Sequence, residues 1–338
     1  MFMIQPLGPG QQSVKLSVII PMFNEEENLR HTVDAVAQTL RDFSDGPWEI
    51  IVVNDGSRDG TWALARELAA QPEYAPWLRV EGYGVNRGRG YALRTGFRAA
   101  HGQWLVSIDA DLSYRPEYIL DLLRVLREEE DVDLVIASAY MPGGGVEGVA
   151  FNRLLVSRAG NVILSWFMSP SGHKVHTITC VFRAYRRHVL DNMDIESEGK
   201  DIHLEILSKA VMLGYHFKEI PVILRARKRG ASKHRVSSTA ASHMVFALFE
   251  RPILVFGLLG MLLMLGSFCG MGYLCYKFYT HTLTANRPMI TVVLMAFLGG
   301  LQLLSFGVIG TQFVNLRKEI IRIQARLRAL ASKRPLDD

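Results

Sequence analysis

Apolar runs and amphipathic stretches take turns along the first part of the chain. Residues 16–21 (LSVIIP) form a short, β-branched apolar run, and 24–40 follow with Leu29, Val33, Val36 and Leu40 at helical spacing. Asn24 with Glu27 three residues on has the pattern of a helix-capping pair. Residues 49–53 (EIIVV) predict a second buried strand, and Asp59-Gly60-Thr61 opens a helix through Leu68. A strand over 78–81, a helix near 91–100, a strand over 104–108 (WLVSI), a helix over 116–126 and a strand over 133–137 complete the alternation. Strands that are apolar throughout, separated by amphipathic helices, predict an α/β head with a mostly parallel sheet covered on both faces. Function is then expected beyond the carboxyl ends of the strands.

After Arg251 the pattern changes. Residues 252–276 contain no Asp, Glu, Lys or Arg, and 288–316 contain none either. Each run exceeds the roughly 20 helical residues that cross a bilayer core, so a two-span hairpin is expected. Basic residues crowd both outer flanks, from Arg225 to Arg251 and from Arg317 to Arg328, whereas only Lys277 and Arg287 lie between the runs. The positive-inside bias then puts the head and both termini in the cytoplasm. The layout that follows is a flexible segment 1–14, a catalytic domain 15–230, a juxtamembrane segment 231–251, spans 252–276 and 288–314 around an external loop 277–287, and a basic tail 315–338. Within it, 236–250 reads either as an amphipathic interfacial helix or as a linker. The tail places Ile320, Ile323, Leu327 and Leu330 near one face, as a surface helix or a self-associating one would.

The composition narrows the function classes. The head is apolar enough to bury a core, which excludes a disordered chain or a fibre. Cys180, Cys269 and Cys275 are too few and too scattered for a disulfide framework or a zinc site. The formal charge of +5 sits mostly on flanks that face anionic lipid, with no basic stripe interleaved with aromatics, so nucleic acid is not an expected partner.

Three polar clusters fall at predicted strand ends: Pro21-Met22-Phe23-Asn24-Glu25, then 54–61 (NDGSRDGT), then Asp109-Ala110-Asp111. Because side chains alternate along an extended chain, Asp109 and Asp111 are expected to point to one side, where their charges call for a cation between them. Hard oxygen donors with no adjacent His or Cys favour Mg²⁺ or Mn²⁺, with further ligands from substrate phosphates. Taken singly, each cluster also has a plain reading: a solvated turn at Asp109–Asp111, a turn and helix cap at Asp55–Asp59, a capping box at Asn24–Glu27. Their coincidence at three strand ends favours a nucleoside diphosphate site.

With these residues in view, VIIPMFNEEENL, IIVVNDGSRDGT, NRGRGYALRTGFRAAHG and IDADLSYRPEYI resemble family 2 of the inverting glycosyltransferases, which have the GT-A fold. PGGGVEG, FNRLLVSRAGN, FRAYRR and RGASKHR, with two terminal spans, are similar to the polyprenyl-phosphate branch, the dolichol-phosphate mannose synthase and bactoprenol glucosyltransferase group. The resemblance implies that Pro21, Phe23, Glu25 and Asp55 bind the donor nucleoside, that Asp109 and Asp111 are catalytic and hold Mg²⁺ or Mn²⁺, and that Arg225, Ser232 and Lys233 close over the diphosphate. It implies acceptor-phosphate contacts at Arg153 and Ser157, with Arg158 in place of an Arg that Ala139 replaces. The implied partners are a UDP- or GDP-sugar, a polyprenyl phosphate, the bilayer and a second copy of the chain. Ser113, where the family commonly has Gln, and 177–183 (TITCVFR) depart from the pattern and leave the sugar open. The alternatives are a processive polysaccharide synthase, which normally carries a Gln-x-x-Arg-Trp element not found here, and a non-catalytic scaffold that retains the fold.

Overall fold

The computed structural model describes residues 14–148, 161, 175–226, 252–282 and 288–331. The chain divides into two compact units, residues 1–239 with 325–338, and residues 240–324. In the first unit seven strands form one sheet in the order β3-β2-β1-β4-β7-β5-β8. They are β1 (Leu16–Met22), β2 (Trp48–Asp55), β3 (Leu78–Tyr83), β4 (Trp104–Ser107), β5 (Val132–Ser138), β7 (Arg183–Arg186) and β8 (His216–Pro221). Only β7 runs against its neighbours β4 and β5. A short parallel ribbon pairs β6 (Gly145–Glu147) with β9 (Ile223–Arg225). The helices of this unit are α1 (Glu26–Leu40), α2 (Thr61–Ala70), α3 (Arg89–Ala99), α4 (Tyr118–Glu128), α5 (Arg187–Asp191) and α6 (Ile202–Leu213).

The apolar runs explain the sheet. Val18, Ile19 and Ile20 of β1 and Ile50, Ile51 and Val52 of β2 are almost wholly buried, each contributing roughly 1.5–3 kcal/mol by leaving water. Leu29, Val33, Val36 and Leu40 are all buried on α1, as their spacing predicts. Gly96 lets α3 close onto the sheet, because a Cβ there meets the Ile19 side chain. The expected capping pair at the start of α1 does not form. Asn24 is left-handed (φ 52) and its Oδ1 accepts the Arg58 N–H at 2.7 Å instead. Glu25 occupies the cap position and takes the Asn28 amide at 2.6 Å.

A buried carboxylate ties the far edge of the sheet together and makes it acid-sensitive. Glu49 accepts from Ser17 Oγ at 2.6 Å, the His101 N–H at 2.7 Å and Arg79 Nη1 at 3.2 Å. Burial raises its pKa, but these donors outweigh burial and hold it below the ordinary value of 4.5. A depressed folded-state pKa adds stability above pH 4.5 that disappears as pH falls through the folded value. Glu49→Gln is therefore expected to melt below wild type at neutral pH, with the gap narrowing below pH 4.5. A melting-temperature gap independent of pH contradicts this.

Two long apolar helices follow, α7 (Pro252–Tyr279) and α8 (Pro288–Ala331); the second unit holds α7 and the part of α8 up to residue 324. They are candidate membrane spans, with mean hydropathies of 2.3 and 2.2 in their most apolar stretches. Close helix contact is made by small residues, as in membrane pairs: a Cβ on Gly260 falls 2.7 Å from the Gly300 carbonyl oxygen. Ser267 Oγ donates to the Val293 carbonyl at 2.9 Å, and Phe268 meets Phe297 edge to face. α8 continues without a break past residue 314, where the sequence pattern placed the end of the span.

Candidate active site

The three polar clusters lie side by side at one edge of the sheet. β1 is paired in parallel with β2 through Met22 opposite Asn54, and with β4 through Ile19 opposite Ser107. Hydrogen bonds lock the first two turns together. The Asn24 N–H donates to Ser57 Oγ at 2.9 Å, the Glu25 N–H to Thr61 Oγ1 at 2.9 Å, and the Gly60 N–H to Glu26 Oε2 at 2.9 Å. Pro21, Phe23, Glu25 and Asp55 are thus carried on one cross-linked rim. Asp59 buttresses it by accepting the Thr61 N–H at 3.1 Å. Burial raises the Asp59 pKa, but Thr61 and the backbone donors hold it below the ordinary carboxylate range.

β4 ends at Ser107, and Ala110 and Asp111 form a turn rather than an extended pair. The extended-chain expectation for the two aspartates therefore fails, because the chain reverses as it leaves the sheet. Other contacts orient them. Thr32 Oγ1 of α1 donates to the Ala110 carbonyl at 2.6 Å. Leu112 is left-handed (φ 48), a strained state for a branched residue. Ser113 holds Asp111 Oδ1 by its N–H at 3.0 Å and its Oγ at 2.6 Å, a side-chain turn. Asp109 and Asp111 are both half-buried. Among the described residues no group of three or more His, Cys, Asp or Glu is placed to hold a metal.

Asp55 is buried, and both its carboxylate oxygens serve the loop after β3. They accept from Tyr83 Oη at 2.8 Å, Asn86 Nδ2 at 2.9 Å, the Arg87 N–H at 2.9 Å and the Gly88 N–H at 3.1 Å. Burial, with the Asp55 charge beside it, pushes the Tyr83 phenol well above its usual range. Arg225 belongs to β9. Its N–H donates to the Ser113 carbonyl at 2.8 Å and its Nε to Glu147 Oε2 at 3.1 Å, so the ribbon is tied to the turn that carries Asp111. Arg153, Ser157, Arg158, Ser232 and Lys233 lie outside the described residues, as do 1–13 and 236–250.

Sequence reasoning missed two features of this edge. Arg89 opens α3 with its Nη2 3.5 Å from Asp109 Oδ1; the signal for it was the Gly88-Arg89-Gly90 step at a helix start. Behind the pair, Tyr114 and Cys180 are buried together. Burial pushes the Cys180 thiol up to about 11, despite the hydrogen bond with Tyr114 and the charge of Arg183. The thiol is therefore protonated at neutral pH and is a packing group rather than a nucleophile.

With this geometry in place, comparison with known proteins identifies the head. The family model described as glycosyl transferase family 2 matches residues 17–193, just over half of the chain. The chain is 35% identical over 225 residues to the polyprenol monophosphomannose synthase of Mycolicibacterium smegmatis, covering 64% of this chain and 79% of that protein. It is 33% identical over 222 residues to the dolichol-phosphate mannosyltransferase of Pyrococcus furiosus, covering 65% of this chain and 59% of that one. Among solved structures, glucosyl-3-phosphoglycerate synthase of Mycobacterium tuberculosis, in complex with Mn²⁺, UDP and glucosyl-3-phosphoglycerate, is similar with a TM-score of 0.52 at 20% identity, over 73% of this chain and 86% of that chain. Mannosyl-3-phosphoglycerate synthase of Rubrobacter xylanophilus gives 0.52 at 20% identity, over 72% and 75%. These structures establish the GT-A fold of the head, and the family match establishes the rest: the chain belongs to glycosyl transferase family 2 and is a glycosyltransferase.

Proposed function

We propose that the protein transfers one sugar from a nucleotide-sugar donor to a polyprenyl phosphate at the cytoplasmic face of a membrane. The observation that carries this reading is an acidic pair at the rim of a family 2 head, in a chain that also has two helices of membrane-crossing length. The names of the two curated relatives supply the acceptor class and make mannose the first sugar to test.

The donor set fits a hard divalent cation, since Mg²⁺ and Mn²⁺ sites use one or two carboxylates and complete their shell from substrate phosphates and water. Asp109 and Asp111 would hold Mg²⁺ or Mn²⁺, whose contribution when bound is to offset the charge on the departing nucleoside diphosphate. Pro21, Phe23 and Glu25 hold the nucleoside on the cross-linked rim, with Asp55 behind them. Arg225 and Lys233 cover the diphosphate, while Arg153, Ser157 and Arg158 receive the acceptor phosphate. A lipid monophosphate with a second pKa of about 6 is mostly dianionic at pH 7, so its oxygen attacks the anomeric carbon without a strong base. One carbon–oxygen bond forms to the acceptor as the bond to the diphosphate breaks, which inverts the anomeric centre. The apolar helices anchor the chain in the bilayer where the acceptor dissolves.

The test is a donor panel. Membranes containing the protein, incubated with radiolabelled GDP-mannose, UDP-glucose and related donors plus polyprenyl phosphate, are expected to label the lipid fraction with at least one donor. A chelator is expected to remove that labelling, and added Mn²⁺ or Mg²⁺ to restore it. Absence of lipid label with every donor overturns the reading; labelling of a growing water-soluble polymer instead favours a processive synthase.

A further inference from the structure

Arg89 is held at the rim by a rigid mount. Gly88 (φ 98) and Gly90 leave no room for a side chain: a Cβ on either falls 2.6 Å from a carbonyl oxygen of the segment 196–199. That segment is fastened to the first two turns of α3. The Tyr91 N–H donates to the Glu198 carbonyl at 3.1 Å, and Arg94 Nη1 donates to the Glu196 carbonyl at 2.8 Å. Arg87 pairs with the Glu198 carboxylate and lies 3.7 Å over the Tyr91 ring. From behind, Glu205 of α6 accepts the Glu196 and Ser197 N–H groups at 2.9 and 2.8 Å, and Lys209 pairs with it at 2.6 Å. The same segment brings Lys200 beside Arg89, where burial and the guanidinium both push the ammonium pKa down.

This mount presents a guanidinium to the very carboxylate assigned to the metal. Arg89 Nη2 stands 3.5 Å from Asp109 Oδ1, with the two side chains 28% and 23% exposed. A guanidinium and a divalent cation cannot share that oxygen at full strength. Arginine also has a second anion to turn to, because its planar fork matches phosphate oxygens in two-point contact.

We propose that Arg89 competes with the divalent cation for the Asp109 carboxylate and takes the donor's diphosphate as its alternative partner, so that nucleotide binding hands Asp109 to the metal. The inference rests on the reading of Asp109 as a metal ligand. It makes Arg89 a diphosphate-binding residue that no comparison assigns. It also makes metal and nucleotide binding mutually reinforcing through one side chain.

The experiment measures Mn²⁺ binding to the full-length protein in detergent, by the electron paramagnetic resonance of free Mn²⁺, alone and with GDP or UDP. Arg89→Gln is expected to bind Mn²⁺ alone about 3–10-fold more tightly than wild type and the nucleoside diphosphate about tenfold or more weakly, since one charge-assisted contact changes hands. Arg89→Lys keeps the positive charge and should hold Mn²⁺ affinity near wild type while still weakening the nucleotide. Arg98→Ala, an exposed charge at the other end of α3, should change neither. A folded Arg89→Gln protein whose Mn²⁺ affinity is unchanged or lower overturns the competition, and leaves the metal reading standing. If wild type binds no Mn²⁺ with or without nucleotide, the metal reading itself fails and this inference with it.

Discussion

Asp111→Ala is expected to lower sugar transfer to the lipid by about 10²–10³-fold, the range seen when one group that stabilises developing charge is removed from a preorganised site. The same variant should keep the melting temperature of the head to within a few degrees. Asp111 sits half-buried in a turn beyond β4, and the substitution removes its two bonds from Ser113 in the same turn. The turn retains the Thr32 bond to the Ala110 carbonyl and the Arg225 N–H bond to the Ser113 carbonyl. Loss of activity without loss of stability is the signature of a group used on substrate. Undiminished labelling of lipid by the variant removes Asp111 from the reaction. A large fall in melting temperature would instead make the turn structural.

The strands that carry this site were legible because they are apolar from end to end. The runs 16–21 and 49–53 became β1 and β2, with a residue or two added at their ends. β7 was not legible, because Arg-Ala-Tyr-Arg looks like surface. Arg183 is nevertheless wholly buried, satisfied by the carbonyls of Cys180, Ile178 and His203, so its charge is stabilised by backbone dipoles that no local pattern reports. β8 was missed for a related reason. His216-Phe217-Lys218-Glu219-Ile220-Pro221 lies at the edge of the sheet, where one face stays wet and the apolar signal is diluted.

Among the site residues, sequence chemistry located the acidic pair but not its surroundings. Asp109 and Asp111 stood out as two like charges two residues apart. Their pairing with Arg89 and Ser113 depends on a turn and on a segment about a hundred residues away in the chain, and spacing cannot express such contacts. The capping pair at Asn24 failed in the same way. The Asn24 side chain was recruited across the rim by the Arg58 N–H, a tertiary demand that outweighed the local preference for a cap.

Asp55→Ala is expected to be the most destabilising single change at the rim. The carboxylate is 4% exposed and accepts from a phenol, an amide and two backbone N–H groups of the loop that leads into α3. Removing it strands these donors, each at about 1–3 kcal/mol when left unpaired; with water entering the gap, a net loss of about 3 kcal/mol is expected. That corresponds to a fall of about 6–12 °C in the melting temperature of the head. The loop positions Gly88, and Gly88 positions Arg89, so nucleotide affinity should fall as well. Asp55→Asn keeps one accepting oxygen but turns an N–H group toward other donors, so it should recover little of the stability. The resemblance assigns Asp55 a direct contact with the donor nucleoside, and that role predicts the opposite division: a raised KM for the donor at unchanged melting temperature. Thermal unfolding of the variant in detergent, with and without nucleoside diphosphate, separates the two. If Asp55→Ala melts with wild type, the loop does not depend on Asp55, and the residue's part in the site is contact with the donor alone.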